Sequence, residues 1–296
     1  MKIGILQSRV RFEEKLLVEA LRRRDIEHGL IDDREIVFDL TPPAHNGHSG
    51  GTGHVLQPDG FSYDVVLDRA MEFTRGLYAL QILNSWRIPT VNPAPVVATC
   101  GDKLLTTAAL ARANIPSPQT KIAFTPEAAL EAIEALGYPV VLKPVIGSWG
   151  RLVAKINDRE AAEALLEHKS ILGHFMHEIF YIQEYIAKPG RDIRAIVIGD
   201  EIVTAIYRTS EHWVTNTARG AQATPCPVDE ELAEIVMDAA RAVGGGILAI
   251  DVIEDPERGY LVNEINPTPE FRGAETATHA DIPNRIIDYV LQIAAK

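Results

Sequence analysis

An aspartate in the middle of an otherwise apolar run limits what this chain can fold into. Asp251 interrupts the run Ile247-Leu248-Ala249-Ile250-Asp251-Val252-Ile253. Such a run predicts a buried β-strand, and an unpaired charge there is costly because it loses its hydration. The fold must therefore bring a partner to Asp251. That partner is a metal ion or, as the structural alternative, an arginine.

The next predicted strand supplies further oxygen atoms. It carries Asn263-Glu264-Ile265-Asn266, and the period of 2 places Glu264 and Asn266 on one face, where Asp251 meets them if the strands pair. Oxygen donors without Cys or His suit Mg²⁺, which takes its other ligands from water and nucleotide phosphates. We therefore predict a magnesium site at Asp251, Glu264 and Asn266.

The pattern of predicted elements indicates an α/β (α+β) chain with three domains. Strands and helices alternate in the first part, which predicts an open α/β arrangement. A glycine-rich hairpin follows, and the last part has the pattern of an antiparallel sheet with helices on one side. The predicted domains are 1–95, 96–182 and 183–296.

Residues 41 to 60 are rich in Gly, Pro and His and lack a hydrophobic period. This composition predicts a loop. His45, His48 and His54 make a metal site the alternative, although flexible Gly spacing defines no geometry for one.

Composition excludes several classes of protein. No segment reaches the roughly 20 apolar residues of a membrane span, and the N-terminus lacks a signal sequence, so we expect a cytoplasmic protein with no membrane contact. The net charge of −12 disfavours nucleic acid as a partner. Cys100 and Cys226 lack the spacing of a zinc site or a disulfide framework, so we predict reduced thiols.

A lysine ahead of a glycine turn suggests a phosphate-binding segment. Lys143 ends a predicted strand, and Gly147 to Gly150 form the turn that follows. Glycines let backbone N–H groups approach phosphate oxygens, and the lysine supplies positive charge. The signal is weak alone, because such hairpins are common and neither GxxxxGK[ST] nor GxGxxG is present.

Two further patterns add to this picture. Polar and apolar residues alternate in 181–186, so one face could line a pocket for a planar ring, with a solvated edge strand as the alternative. Arg194, Arg208 and Arg219 lie on consecutive predicted segments, and guanidinium groups bind phosphate or carboxylate in a bidentate manner. Surface salt bridges are the alternative for any one of them.

Taken in order, these residues resemble the ATP-grasp ligases. The resemblance is carried by Lys103, Lys143 with its glycine turn, Gln183-Glu184-Tyr185, Asp192, Arg194, Asp251 and Glu264-Ile265-Asn266. Within that family the chain resembles the RimK-like branch and its LysX/ArgX-type ligases of lysine and arginine biosynthesis. The stretches closest to that subgroup are 143–151, 188–194 and 215–220. The implied fold is a small α/β domain followed by two α+β subdomains that clasp ATP.

The resemblance implies a role for each residue. Lys103 and Lys143 would contact the ATP phosphates, and the turn that closes over them would consist of Gly147, Ser148, Trp149 and Gly150. The adenine would be held by Gln183, Glu184, Tyr185 and Ile186, and the ribose by Asp192. Arg194 and Asn216 would assist at the phosphates and the reacting carboxylate, and Mg²⁺ would be ligated by Asp251, Glu264 and Asn266. From the arginine pattern we add Arg208 and Arg219, which bind the anionic reactants, to Arg194 and Asn216 as the predicted catalytic residues.

The chemistry implied is amide formation driven by ATP. A carboxylate attacks the γ-phosphorus to give an acyl phosphate and ADP, and an amine then displaces phosphate. In the LysX/ArgX subgroup the carboxylate is the C-terminal glutamate of a small acidic carrier protein, LysW, and the amine belongs to glutamate or α-aminoadipate. Arg22-Arg23-Arg24 is a candidate patch for docking this carrier, with a solvated helix end as the alternative.

The choice of amino acid is predicted to depend on Glu270, Phe271, Arg272, Gly273 and Ala274. In the subgroup, aminoadipate enzymes carry Asn and a small residue after the Glu-Phe-basic triplet, and glutamate enzymes carry Gly-Phe. Gly273-Ala274 fits neither pattern. Gly273 favours glutamate, and an enzyme that accepts both amino acids is the alternative.

Other functions remain as alternatives. Another RimK-like ligase would add glutamate to a cofactor or a protein C-terminus, and a synapsin-like nucleotide-binding module would have lost turnover. The intact set of predicted metal ligands argues against such a loss. A periplasmic-type binding protein would need two similar lobes and an export signal, and neither is visible. From the family we expect a homo-oligomer.

Overall fold

The computed structural model describes residues 1–41, 55–147, 150–173, 178–215 and 220–296. Their contacts divide the chain into two compact units. Unit 1 consists of Met1–Ala98, Thr268–Arg272 and Asp281–Lys296, and unit 2 consists of Thr99–Pro267 and Gly273–Ala280. Neither unit is a continuous segment. The finer division into domains at 1–95, 96–182 and 183–296 stays a prediction.

A four-stranded parallel sheet forms the centre of unit 1. Its order is β2-β1-β5-β6, and the registered pairs are parallel. Strands β1 and β5 are buried almost throughout, as expected for parallel strands that helices cover. The first elements of the chain are β1 (Lys2–Gln7), α1 (Phe12–Arg23), β2 (Glu27–Asp32), β3 (Val37–Phe38), β4 (Val55–Leu56), β5 (Val65–Arg69), α2 (Phe73–Ser85), β6 (Thr90–Val91) and α3 (Ala94–Gly101).

The predicted loop at 41–60 is wrong at its end. Val55–Leu56 forms β4, which pairs in parallel with β3, and a short 3₁₀ turn follows at Pro58–Gly60. Gln57 Nε2 donates to Asp39 Oδ2 at 2.6 Å beside this pair. A two-residue strand is too short to show a hydrophobic period, so the sequence pattern missed it. His45, His48 and His54 lie outside the described residues.

Unit 2 contains two sheets, and the first is antiparallel with the order β7-β10-β8-β9. Helices α5 and α6 pack on its apolar face. Thr125 caps α5 by accepting from the Ala128 N–H, and Gly137 ends the helix with φ 83°. The elements are α4 (Lys103–Arg112), β7 (Thr120–Ala123), α5 (Pro126–Leu136), β8 (Val140–Lys143), β9 (Ala154–Ile156), α6 (Arg159–Leu172) and β10 (Phe180–Glu184).

The second sheet of unit 2 is antiparallel, as predicted, with the order β13-β12-β11-β14-β15. The strand expected in it at Phe180 to Tyr185 is instead β10 of the first sheet. Helix α7 turns its apolar side toward this sheet, where Leu232, Val236 and Ala239 are fully buried. The elements are β11 (Arg191–Ile198), β12 (Glu201–Thr209), β13 (Gln222–Pro225), α7 (Glu230–Ala242), β14 (Ile247–Asp255), β15 (Gly259–Asn266) and α8 (Arg272–Thr278).

The last helix, α9 (Ile282–Ala294), belongs to unit 1. It contacts α1 and β5, and its side chains Ile286, Ile287 and Val290 are buried. Arg24 Nη2 lies 2.7 Å from Asp288 Oδ1 along this contact. Among the described helices, none is long and apolar enough to cross a membrane.

Candidate functional site

Lys143, at the end of β8, makes two hydrogen bonds to polar side chains of unit 2. Its Nζ donates to Gln183 Oε1 at 2.6 Å and to Asn263 Oδ1 at 3.0 Å. Burial lowers the pKa of Lys143 to about 8, although nearby Glu264 acts in the opposite direction. A lysine in this environment keeps a charge that water does not screen well, which suits the binding of a phosphate.

A β-bulge places two consecutive residues of β15 toward the lysines. Asp251 pairs with Glu264 while Val252 pairs with Val262, so Asn263 is the extra residue. Asn263 therefore reaches Lys143, and Glu264 Oε1 lies 3.6 Å from Lys103 Nζ. The sequence pattern missed Asn263, because a regular period of 2 would turn it away from Glu264.

Lys103 joins the predicted glycine turn to β15. Its backbone N–H donates to Val145 O at 2.9 Å, and its Nζ donates to Gly147 O at 2.7 Å. The lysine therefore lies between the turn and Glu264, and its role at the phosphates stays a prediction. Ser148 and Trp149 lie outside the described residues, and Gly150 has φ 62°, a conformation that favours glycine.

Asp251 is paired with two arginines. Arg194 donates to both of its carboxylate oxygens at 2.7 and 2.8 Å, and Arg208 Nη2 lies 3.0 Å from Oδ2. Burial alone would raise the pKa of Asp251, but the two guanidinium groups hold it below its ordinary value. The arginine partner considered as the structural alternative is therefore present.

Asp192 forms a second ion-pair centre on the same sheet. Its carboxylate accepts from Arg208 Nε at 2.6 Å, from Lys188 Nζ at 3.2 Å and from the hydroxyl of Thr215. Arg208 is nearly fully buried and connects Asp192 with Asp251. These contacts occupy the carboxylate that we predicted at the ribose, and that role stays a prediction. Sequence reasoning missed Lys188 and Thr215, since neither lies on a strand with a regular pattern.

Positive charge exceeds negative charge in this part of unit 2, although the chain as a whole carries −12. The carboxylates of the site are already paired, so an added anion meets a cationic surplus. The network of contacts described above contains the cationic side chains of Lys103, Lys143, Lys188, Arg194 and Arg208 and the carboxylates of Asp192, Asp251 and Glu264. Asn216 and Arg219 lie outside the described residues.

The oxygen atoms proposed for Mg²⁺ fit that ion in type. Asp251 and Glu264 are direct neighbours in register, and Asn266 pairs with Ala249 two residues further along. Asn266 Nδ2 is buried without a hydrogen-bond partner among the described residues, and as an N–H donor it suits an acceptor oxygen and not a cation. No cluster of three or more His, Cys, Asp or Glu with metal-binding geometry occurs in the described ranges. The metal role of these residues stays a prediction.

The segment predicted to hold adenine starts on β10. This strand lies between β7 and β8, so the alternative of an edge strand is wrong. Glu184 Oε1 accepts from Arg258 Nη1 at 2.8 Å and from the Gln119 N–H at 2.6 Å. Tyr185 and Ile186 follow the end of the strand, where the backbone has left the ladder and can contact a ring. Their role stays a prediction.

The residues predicted to select the amino acid are divided between the units. Glu270, Phe271 and Arg272 belong to unit 1, and Gly273 and Ala274 belong to unit 2. Phe271 and Ala274 are almost fully buried, whereas Glu270 is exposed. A Cβ added at Gly273 would meet only Ala223 Cβ at 3.8 Å, which is ordinary contact.

The arginine patch predicted for carrier docking is partly neutralised. Arg23 pairs with Glu19, and Arg24 pairs with Asp288. These contacts match the alternative of a solvated helix end better than a free basic patch. Docking at Arg22-Arg23-Arg24 stays a prediction.

Comparisons with known proteins identify two family matches. Residues 100–290 match the RimK-like ATP-grasp domain, and residues 3–50 and 54–99 match the LysX preATP-grasp domain. The chain is 35% identical over 298 residues to glutamate–LysW ligase ArgX of Sulfurisphaera tokodaii, covering 100% of both chains. It is also 35% identical over 288 residues to alpha-aminoadipate–LysW ligase LysX of the same organism, covering 97% of each.

A solved structure gives the same result for the fold. The crystal structure of a RimK domain ATP-grasp protein from Sphaerobacter thermophilus superimposes with a TM-score of 0.79 at 27% identity, covering 98% of this chain and 100% of that one. The predicted fold class is thereby confirmed. Equal identity to ArgX and LysX of one organism does not choose between their amino acids.

Proposed function

The chain belongs to the RimK-like ATP-grasp family, and from this membership we propose that it joins an amino acid to the C-terminal glutamate of a small acidic carrier protein of the LysW type. The amine is the α-amino group of glutamate or α-aminoadipate, and ATP is converted to ADP and phosphate. The observation that carries the proposal is the cationic surplus around Lys143 and Arg194 in an acidic chain. It suits a site that gathers triphosphate and carboxylate.

In the proposed mechanism the side chains bind and orient the reactants. Lys103 and Lys143 hold the phosphates, and Arg194 offsets charge on the incoming carboxylate. Mg²⁺, when held by Asp251, Glu264 and Asn266, would supply further positive charge at the phosphates. The carboxylate oxygen forms a bond to the γ-phosphorus as the bond to ADP breaks. The deprotonated amine then attacks the acyl carbon, and phosphate leaves.

Arg208 has a positioning role in this proposal. Its guanidinium group is buried and engaged with Asp192 and Asp251, so it is less available to a substrate than Arg194. By connecting the two carboxylates it holds Asp251 in place opposite Glu264. Arg219 and Asn216 keep their proposed roles at the reacting groups.

The test uses the purified protein, Mg·ATP and a carrier protein that ends in glutamate. ADP release and carrier mass are measured with glutamate and with α-aminoadipate, and a carrier shortened by its last glutamate is the matched control. A mass gain with either amino acid on the full carrier alone supports the proposal. ADP release without carrier modification supports a different RimK-like acceptor, and no ADP with any acceptor supports the nucleotide-binding module.

A single substitution is expected to change the preferred amino acid. Gly273→Asn creates the Asn-small pattern of aminoadipate enzymes, and the added Cβ would meet only Ala223 Cβ, at an ordinary contact distance of 3.8 Å. We expect the ratio of kcat/KM for α-aminoadipate over glutamate to rise about tenfold, the effect of one well-placed polar contact. Carrier modification with each amino acid measures the ratio. Gly273→Ala adds the Cβ without the amide and is the control; an equal ratio in both variants contradicts the prediction.

Lys143 is expected to make ATP binding depend on pH. Its pKa is lowered to about 8 by burial, and the phosphates of ATP would raise it again. Below pH 8 the lysine is charged before ATP arrives, so affinity stays constant. Above pH 8 the free protein must first take up a proton, so affinity falls by up to about tenfold per pH unit.

Calorimetry of a non-hydrolysable ATP analogue at pH 7 and pH 8.5, in buffers with different ionisation enthalpies, measures this proton uptake. Lys143→Arg keeps the positive charge at both pH values and should bind without the uptake. Equal proton uptake at pH 8.5 in the wild type and in this variant would show that another group is responsible.

A further inference from the structure

A short piece of chain between the two proposed functional regions of unit 2 belongs to unit 1. We call residues Thr268–Arg272 the strap. The strap begins two residues after Asn266, a proposed metal ligand, and ends directly before Gly273, a proposed specificity residue. Whatever holds the strap therefore constrains Gly273, which follows it directly, more than Asn266, which is separated from it by Pro267.

The strap is held at the carboxyl end of the parallel sheet of unit 1. Arg69, the last residue of β5, donates from Nη1 to Pro269 O at 2.9 Å. Thr268 Oγ1 donates to Asp68 Oδ2 at 3.3 Å, and the ring of Phe271 lies 5.8 Å from the Arg69 guanidinium carbon. The carboxyl ends of strands are where open α/β sheets bind ligands. In this chain Asp68 and Arg69 lie at that end of β5, and both contact the strap.

The first turn of α1 holds the other half of the strap. Arg11 Nη1 donates to Glu270 Oε1 at 3.1 Å, and the backbone N–H of Arg272 donates to Glu13 Oε1 at 3.3 Å. The Arg272 guanidinium carbon lies 4.8 Å from the centre of the Phe12 ring. Side chains from two elements of unit 1 thus contact the strap from Thr268 to Arg272.

Glu14 orients both arginines that contact the strap. Its side chain is fully buried, and it accepts from Arg69 Nε at 2.9 Å and from Arg11 Nε and Nη2 at 3.0 and 2.9 Å. Two fork-shaped donors on one carboxylate leave few alternative orientations. Burial would raise the pKa of Glu14, but the hydrogen bonds and charges of Arg11 and Arg69 hold it below its ordinary value. The group stays ionised at neutral pH.

A purely stabilising role explains Arg69 poorly. Its side chain is 2% exposed, and Nη2 is buried without a partner in the part of the chain that the structure describes. An unpaired buried N–H is unfavourable, and apolar side chains often replace buried ion pairs without loss of stability. A hydrophobic residue could reproduce neither the contact to Glu14 nor the contact to the Pro269 carbonyl, and only the second of these reaches the strap.

We propose that Arg69, oriented by Glu14, is a positioning residue that fixes the strap and thereby sets which amino acid the neighbouring Gly273-Ala274 pair accepts. This inference rests on the proposed function for its second half. The first half, that Arg69 fixes the strap, does not depend on the proposed function. Arg69 acts through the strap and does not touch the reacting atoms.

The test compares Arg69→Lys with the wild type and with Arg75→Lys as the matched control. Lysine keeps the charge but cannot bond Glu14 and Pro269 with a planar fork. Arg75 belongs to the same unit and pairs with Asp33. The first readout is hydrogen exchange in a peptide covering 268–272; the second is the KM for each amino acid and for ATP.

In Arg69→Lys we expect exchange in 268–272 to accelerate about tenfold, as for loss of one buried charge-assisted hydrogen bond. The KM of the preferred amino acid should rise about tenfold, and the ratio between the KM values of the two amino acids should move closer to one. The KM of ATP should stay within about twofold of the wild-type value. Arg75→Lys should change neither the exchange in 268–272 nor the KM of the amino acids nor the KM of ATP. Glu270→Gln, an exposed position, should accelerate exchange in the same peptide if Arg69→Lys fails to fold.

If the 268–272 peptide exchanged at the wild-type rate in both Arg69→Lys and Glu270→Gln, the inference would be overturned. An unchanged preference in an Arg69→Lys enzyme that turns over would overturn its second half. If the wild type modifies no carrier with either amino acid, the proposed function fails. Exchange then still decides whether Arg69 holds the strap.

Discussion

In Glu264→Gln we expect amide formation to slow by about three orders of magnitude, while the unfolding temperature changes little. The substitution keeps the shape of the side chain and removes a charge that is proposed to face Mg²⁺ and the phosphates, and loss of a preorganised electrostatic contact has effects of about this size. Glu264 is partly exposed, with Lys103 Nζ at 3.6 Å, so the fold does not depend on its charge. Rates of carrier modification and thermal unfolding test this expectation.

Glu254→Gln is a suitable control for this variant. Glu254 lies on the neighbouring strand β14, is exposed to a similar degree and pairs with Arg191 at 2.7 Å. It should retain nearly the full rate. If Glu264→Gln also retained a near-normal rate at limiting Mg²⁺, the assignment of Glu264 to the metal would be wrong.

In Asp251→Asn we expect both turnover and stability to fall. Asparagine leaves Arg194 and Arg208 without their shared carboxylate, and breaking a buried pair in this way costs about 3 kcal/mol or more. The free energy of unfolding, measured with urea, should decrease by that amount. Turnover should also fall by about three orders of magnitude, because the proposed metal loses a ligand.

The wild type should also lose stability in acid as Asp251 becomes protonated. The folded pKa of Asp251 lies below 3.8, so its contribution is complete above that value and disappears as the pH falls toward the folded pKa. Asp238→Asn, on the exposed side of α7, is the control and should change the free energy of unfolding by less than about 0.5 kcal/mol. An equal loss of stability in Asp251→Asn and Asp238→Asn would contradict the buried pairing.

The strands and helices of unit 2 could be predicted because their hydrophobic patterns are strong. The run around Asp251 forms β14, and Asp251 lies directly opposite Glu264 as the period of 2 required. Helix α5 begins after the Thr125 cap and ends at Gly137. In each case the signal lies in residues that are neighbours along the chain.

The parts that could not be predicted depend on contacts between distant residues. The bulge that turns Asn263 toward Lys143 changes the register by one residue and leaves no mark in the composition. The pairing of Arg208 with both Asp192 and Asp251 requires knowing that β11 lies between β12 and β14. The sequence indicated that Asp251 needs a partner, but not that two arginines would share it.

The membership of α9 in unit 1 affects the order in which the protein can mature during synthesis. Residues 1–98 leave the ribosome first, yet the apolar side of α1 and β5 that α9 contacts stays open until residues 99–281 have been made. Unit 2 lacks this dependence for its two sheets, which are complete at Asn266. Although domains usually fold in the order of synthesis, here the segment that is made first is the last to be completed.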